Sequence, residues 1–174
     1  VNSRDVDSFL QVDPAQYPNP QTVDGDFDTA IRAIMFTDLE GSTALIDRYG
    51  DRAAVEHLRQ HDEIIRGRLT ECRGAEVKHT GDGIMALFGA PIALEDAPQR
   101  SIRSALAIHQ EMNRCSERMK QEKGIPPLRM RIGIHTGPVI VGTLGNDLRV
   151  EFTAVGDTVN LASRMESLAE PGTT

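Results

Sequence analysis

The succession of segments along this chain predicts an α/β fold, an α+β sandwich in which helices pack on a mixed, largely antiparallel sheet. Three observations carry that prediction. Apolar, β-prone runs recur at Ala33 to Thr37, Glu76 to Phe88 and Leu128 to Ala154. Two long stretches of helical period, Thr43 to Arg73 and Asp96 to Lys123, separate those runs. The 174 residues, 39% of them hydrophobic, suit one domain with a real core.

Residues 1–30 carry Pro14, Pro18 and Pro20 among Asp, Asn and Gln with no lasting apolar period, and read as a linker or N-terminal arm. The chain opens on Val1 rather than Met, as a processed or excised piece of a longer protein would. This opening segment lacks the basic start and apolar centre of a signal peptide. No run approaches the ~20 apolar residues needed to cross a bilayer. Residues 31–174 form the domain.

Ala33 to Thr37 is its first strand, with Asp38 at the C-terminal end. Gly41-Ser42-Thr43 then makes a turn whose hydroxyls can cap a following helix. That helix, Thr43 to Arg73, is broken near Gly50, turns Leu58, Ile64, Ile65 and Leu69 inward, and stops at Gly74. Glu76 to Phe88 reads as a hairpin around Gly81-Asp82-Gly83, where glycine permits a tight turn. After a loop at Ala90-Pro91, Asp96 to Lys123 is a long amphipathic helix. Its expected apolar side is Ile102, Ala105, Leu106, Met112 and Met119, and Gly124 with Pro126-Pro127 ends it. Leu128 to His135 and Val139 to Leu144 read as two strands divided by Thr136-Gly137-Pro138, followed by a strand from Arg149 to Ala154. Beyond Gly156, Asp157 or Thr158 can cap a last helix.

A net charge of −7 argues against a nonspecific nucleic-acid or anionic-membrane partner, and leaves a nucleotide open because local cations set that affinity. Cys72 and Cys115 lack metal-ligand spacing and read as free thiols in a reducing, cytoplasmic compartment. His57 and His61, at i and i+4 on a charged helix, read as a solvated pair rather than as metal ligands.

The candidate chemistry lies in three stretches. Asp38 stands at a strand end before a helix N-terminus, a frequent place for a metal ion and the phosphates it carries. Asp82 stands at a tight turn. There Asp beside Gly also serves simple turn chemistry, but with Asp38 it would hold hard divalent ions. Asn160 and Arg164, at i and i+4, share one helix face and suit a phosphate that gains charge during a reaction.

The ordered motifs FTDLEGST, KHTGDG and VGDTVNLASRME, with RIGIHTGPVIVGTLG before the last, give a chain that resembles the catalytic domain of class III adenylyl and guanylyl cyclases from Ile31 to about Thr173. The resemblance implies a ferredoxin-like core and conversion of ATP to 3',5'-cyclic AMP and pyrophosphate. It assigns Asp38 and Asp82, with the Leu39 carbonyl, to two Mg²⁺ or Mn²⁺ ions. Lys78 with Thr153 reads the purine, and the Thr form resembles the bacterial IIIb subclass. Asn160 and Arg164 orient the ribose and stabilise the transition state. The resemblance further implies a head-to-tail homodimer with shared sites, a dimerisation region starting at Val139, and a fused or partner regulatory domain; a monomer is expected to be inactive. The chain departs from the family at Pro171-Gly172-Thr173-Thr174, where further strands bearing a triphosphate-binding Lys normally follow, so C-terminal strands are expected to be missing. A guanylyl or dual-specificity cyclase and a non-catalytic signalling module that dimerises are the alternatives. A two-metal nuclease fits poorly, since no basic groove pattern occurs.

Overall fold

The computed structural model describes residues 28–41, 50–79, 81, 83–146 and 149–174. In chain order these form β1 (Asp28–Glu40), α1 (Asp51–Glu71), β2 (Gly74–His79), β3 (Ile84–Phe88), α2 (Ala97–Lys123), β4 (Arg129–Asn146), β5 (Arg149–Val155) and α3 (Asp157–Leu168). The sheet runs β2-β3-β1-β4-β5, and each pairing among the described residues is antiparallel. β1 begins at Asp28, inside the segment expected to be an arm.

Alternation along the strands divides the core in two. Ala33, Met35 and Leu39 of β1, with Ile84, Ala86 and Phe88 of β3, pack against Ile65 and Leu69 of α1 and Ala105, Ile108 and Met112 of α2. Ile34, Met85, Leu87, Val139 and Val141 face the other way and pack with Ala162 of α3. Ile84-Met85-Ala86-Leu87-Phe88 is buried throughout because both faces of this strand are covered. The expected hairpin strands therefore hold, while its turn residue Asp82 lies outside the described residues.

Several local expectations change. The division at Thr136-Gly137-Pro138 does not occur: Arg129–Asn146 is one 18-residue strand, paired with β1 from Glu40↔Arg129 to Asp28↔Val141. Continuous pairing outweighs local turn chemistry here. On α2, Ile102 and Leu106 are exposed at 52% and 56%, because the inward stripe runs through Ser101, Ser104, Ala105, Ile108, Met112, Cys115 and Met119. Ile102 lies one residue beside that stripe, about 100° around the helix. α1 ends in Cys72 with Arg73 in the left-handed region at φ 59°, so Gly74 is not its stop. Gly74 starts β2 instead, where a Cβ would lie 2.7 Å from the Phe88 ring. His61 is buried beside Asp62, not solvated, and the side chain of His57 lies outside the described residues.

The seat of α3 is set by one glycine. A Cβ on Gly133 of β4 would stand 2.6 Å from the Glu166 Cα and closer still to the Glu166 nitrogen and the Ala162 carbonyl oxygen. These are backbone atoms that no rotamer change can move aside. At the start of α3, neither Asp157 nor Thr158 caps the helix; Gly156 is the N-cap residue and makes no side-chain bond. Thr158 Oγ1 donates instead to the Pro138 carbonyl at 2.8 Å, tying the first turn of α3 to β4. Gly133→Ala is expected to destabilise the domain by about 1–3 kcal/mol through overpacking. Gly67→Ala, in α1 with open space around its Cα, should stabilise by up to ~1 kcal/mol. Urea denaturation followed by circular dichroism measures both, and parental stability in the Gly133 variant would contradict this packing.

Candidate active site

The register places Asp38 and Lys78 on the sheet face that carries α3, while Leu39 packs in the core on the other side. Asp38 pairs across the ladder with Arg131, continuing the face of Ile34 and Phe36. Lys78 pairs with Met85, whose side chain belongs to the same face. A register shift between Glu76 and Lys78 marks a bulge in β2, a common device for re-aiming a side chain. On either side of Lys78, two residues hold β2 to α1. Arg66 donates to Glu76 through Nε at 2.7 Å and Nη2 at 3.1 Å, and His79 Nε2 lies 2.9 Å from Asp62 Oδ2. Their register partners Ala86 and Ile84 face the helices α1 and α2, so the clamp leaves Lys78 on the opposite face, exposed.

Asp38 is the best-defined acidic group of the site. Arg131 Nη2 donates to Asp38 Oδ2 in a close ion pair, and Arg131 Nε lies 3.4 Å from Glu166 Oε1 on α3. The Asp38 hydrogen bond is the main cause holding the Arg131 pKa above its ordinary value, with partial burial opposing it. The three side chains are 24%, 32% and 12% exposed, so the cluster is screened from water yet reachable. Arg131 opens the motif RIGIHTGPVIVGTLG and Glu166 closes VGDTVNLASRME, but neither shows a role in the sequence. Their signal is spatial, since it requires the β1–β4 register and the seat of α3.

Asn160 and Arg164 share one face of α3, as their i, i+4 spacing requires, and that face is exposed, while Thr158 and Ala162 of the same helix are buried. Leu161, Met165 and Leu168 are exposed beside them at 41%, 47% and 84%. Leu39 is buried next to Asp38. Thr153 lies in β5 opposite Gly142, and its side chain, like the whole of Asp82, lies outside the described residues.

The chemistry of Asp38 fits a hard divalent ion: an oxygen donor on a rigid strand, within reach of solvent and already balanced by a cation. Among the described residues no group of three or more His, Cys, Asp and Glu side chains forms a metal cage. Asp38 is thus the one described carboxylate of the expected pair.

The adenylate and guanylate cyclase catalytic domain family matches residues 28–174, most of the chain and all of the described fold. The chain belongs to this cyclase family. Adenylate cyclase 1 of Rhizobium meliloti is 31% identical over 134 residues, which are 77% of this chain and 20% of that protein. An adenylate cyclase of Anabaena cylindrica is 27% identical over 95% of this chain and 34% of its own length. The cyclase domain thus spans between a fifth and a third of the length of these relatives. Among solved structures, the adenylyl cyclase CyaB from P. aeruginosa superposes with a TM-score of 0.79 at 28% identity, covering 84% of this chain and 76% of that one. The guanylyl cyclase Cya2 superposes with 0.77 at 30% identity, covering 83% and 73%. These two neighbours, an adenylyl and a guanylyl cyclase, share one fold.

Proposed function

We propose that this domain is an adenylyl cyclase of the Thr-containing IIIb subclass, forming 3',5'-cyclic AMP and pyrophosphate from ATP. The observation that carries the reading is Lys78. It is an exposed cation on the α3 face, at the position that resembles the family's purine-selecting lysine, where guanylyl enzymes usually carry Glu. A Lys ammonium can donate to adenine N1 and meets donors on the guanine edge. Thr153 is its partner, a hydroxyl able to donate or accept.

In the reaction the ribose 3'-oxygen bonds to the α-phosphorus in line as the bond from that phosphorus to the α,β-bridging oxygen breaks. Pyrophosphate leaves with the electron pair, and the hydroxyl proton passes to water or to a substrate phosphate. Asp38 and Asp82, with the Leu39 carbonyl, would hold two Mg²⁺ or Mn²⁺ ions, whose chemistry when bound is to acidify the 3'-hydroxyl and polarise the α-phosphate. Arg164 balances the charge growing on the α-phosphate, and Asn160 aligns the ribose.

The working form in this reading is a head-to-tail homodimer, each site taking its aspartates from one subunit and Lys78, Thr153, Asn160 and Arg164 from the other. The exposed Leu161, Met165 and Leu168 beside Asn160 and Arg164 support it, since an apolar stripe next to functional polar groups suits a covered surface. A fused regulatory domain accords with the greater length of the relatives, and a cytoplasmic setting accords with the free thiols of Cys72 and Cys115. A guanylyl or dual-specificity enzyme is the second reading, favoured by the likeness to Cya2.

Two experiments test the proposal. Lys78→Glu is expected to lower the ATP-to-GTP ratio of kcat/KM by more than tenfold, ~1.4 kcal/mol, in steady-state kinetics on both nucleotides. An unchanged ratio removes Lys78 from the base pocket. Subunits carrying Asp38→Ala, mixed with subunits carrying Arg164→Ala, should regain activity that neither has alone, because one site of each heterodimer then holds an unaltered set. Inactive heterodimers, with their formation verified by co-purification of differently tagged subunits, would sink the shared-site arrangement.

A further inference from the structure

Arg131 stands between carboxylates from two different elements. It is hydrogen-bonded to Asp38 of β1, while its contact with Glu166 of α3, at 3.4 Å, is an ion pair without hydrogen-bond geometry. Asp38 is also the carboxylate read above as a metal ligand, and the following inference rests on that reading. A divalent ion on Asp38 would sit within ~2.0–2.6 Å of a carboxylate oxygen, beside a guanidinium that already occupies Oδ2. Two cations crowded on one half-screened carboxylate repel each other strongly, so they compete for it. Glu166 offers the displaced guanidinium a second anion without a change of strand register, since Arg131 already reaches toward it.

We propose that Arg131 is a positioning residue that exchanges between two carboxylates: it neutralises Asp38 while no divalent ion is bound, and passes to Glu166 when one arrives. Two consequences follow. The apparent metal affinity is lowered by the fraction of molecules in which Arg131 holds Asp38. And metal binding strengthens a contact between β4 and α3, the helix whose Asn160 and Arg164 serve the other site of the proposed dimer, so ion occupancy at one site reinforces the seat of a helix that works in the second.

The test is Mn²⁺ binding to the full chain without nucleotide, read from the electron paramagnetic resonance signal of free Mn²⁺. Arg131→Gln should bind Mn²⁺ at least ~3-fold more tightly than the parent, because the competitor is gone. Glu166→Gln should bind more weakly by a similar factor, because, of the two carboxylates ion-paired with Arg131, Asp38 then remains, with Glu40 acting on it at longer range. In the Arg131→Gln, Glu166→Gln double variant the effect of the Glu166 change should disappear, a non-additivity that a long-range charge effect does not produce. If Arg131→Gln does not fold, Arg131→Lys serves in its place: an ammonium engages one carboxylate at a time without the guanidinium fork, and the Glu166 effect should shrink there too. The proposal is overturned if Arg131→Gln binds Mn²⁺ no better than the parent, or if the Glu166 change costs the same factor in both backgrounds. Asp38→Asn separates the two levels of the argument. Loss of Mn²⁺ binding in that variant with additive effects at Arg131 and Glu166 rejects the exchange alone, whereas unchanged Mn²⁺ binding in it rejects the metal reading of Asp38 as well.

Discussion

The contact on which the site depends is the close approach of α3 to β4 at Gly133. Because there is no side chain at that position, the backbone of Ala162 and Glu166 lies directly on the strand. Everything functional on that helix inherits its place from this contact. Asn160 and Arg164 are held on its outer side, and Glu166 is brought to Arg131, which in turn reaches Asp38 across the β1–β4 ladder. Thr158 fixes the first turn through the Pro138 carbonyl, so α3 is held by its start and by its middle. A helix seated in this way holds its exposed polar groups with little freedom, as the proposed roles of Asn160 and Arg164 would need.

Strand alternation then separates structural from chemical charge. Glu76 and His79 of β2 turn toward α1, where Arg66 and Asp62 receive them, and Lys78 is left on the opposite face. Arg32, buried at the far end of β1, is satisfied by the Gly89 and Val139 carbonyls and by Asp28. Its partners are largely main chain, and it holds β1, β4 and the loop after β3 together. The exposed cations of the α3 face, Lys78 and Arg164, differ from it in having solvent around them. An adenylyl cyclase and a guanylyl cyclase share this framework at similar superposition, so the fold alone does not set base preference, and Lys78 is the side chain proposed to set it here.

Much of this was legible in the sequence, for physical reasons. Glycines between the extended run from Glu76 and the apolar run Ile84 to Phe88 point to a hairpin, whose strands pair as expected, and i, i+4 spacing puts Asn160 and Arg164 on one face whatever surrounds them. Other features depended on partners that a sequence does not display. β4 runs through Gly137 and Pro138 because β1 is long enough to pair along it. The buried side of α2 is chosen by small residues such as Ser101 and Ser104, which let the helix approach, so the larger Ile102 and Leu106 stay outside. His61 sits on a charged helix yet is buried, since the neighbouring Asp62 meets both its ring and that of His79. Arg131 looked like one more basic residue in a strand until the register put it opposite Asp38.

The proposed reaction is attack of the ribose 3'-oxygen on the α-phosphorus of ATP. Its most direct test is product analysis: the protein, at a concentration shown by sedimentation to be dimeric, is incubated with ATP and Mn²⁺, and the products are resolved by chromatography and phosphorus NMR. The expected products are 3',5'-cyclic AMP and pyrophosphate in equal amounts. Release of ADP and inorganic phosphate, or intact ATP under conditions where the nucleotide is bound, would contradict it.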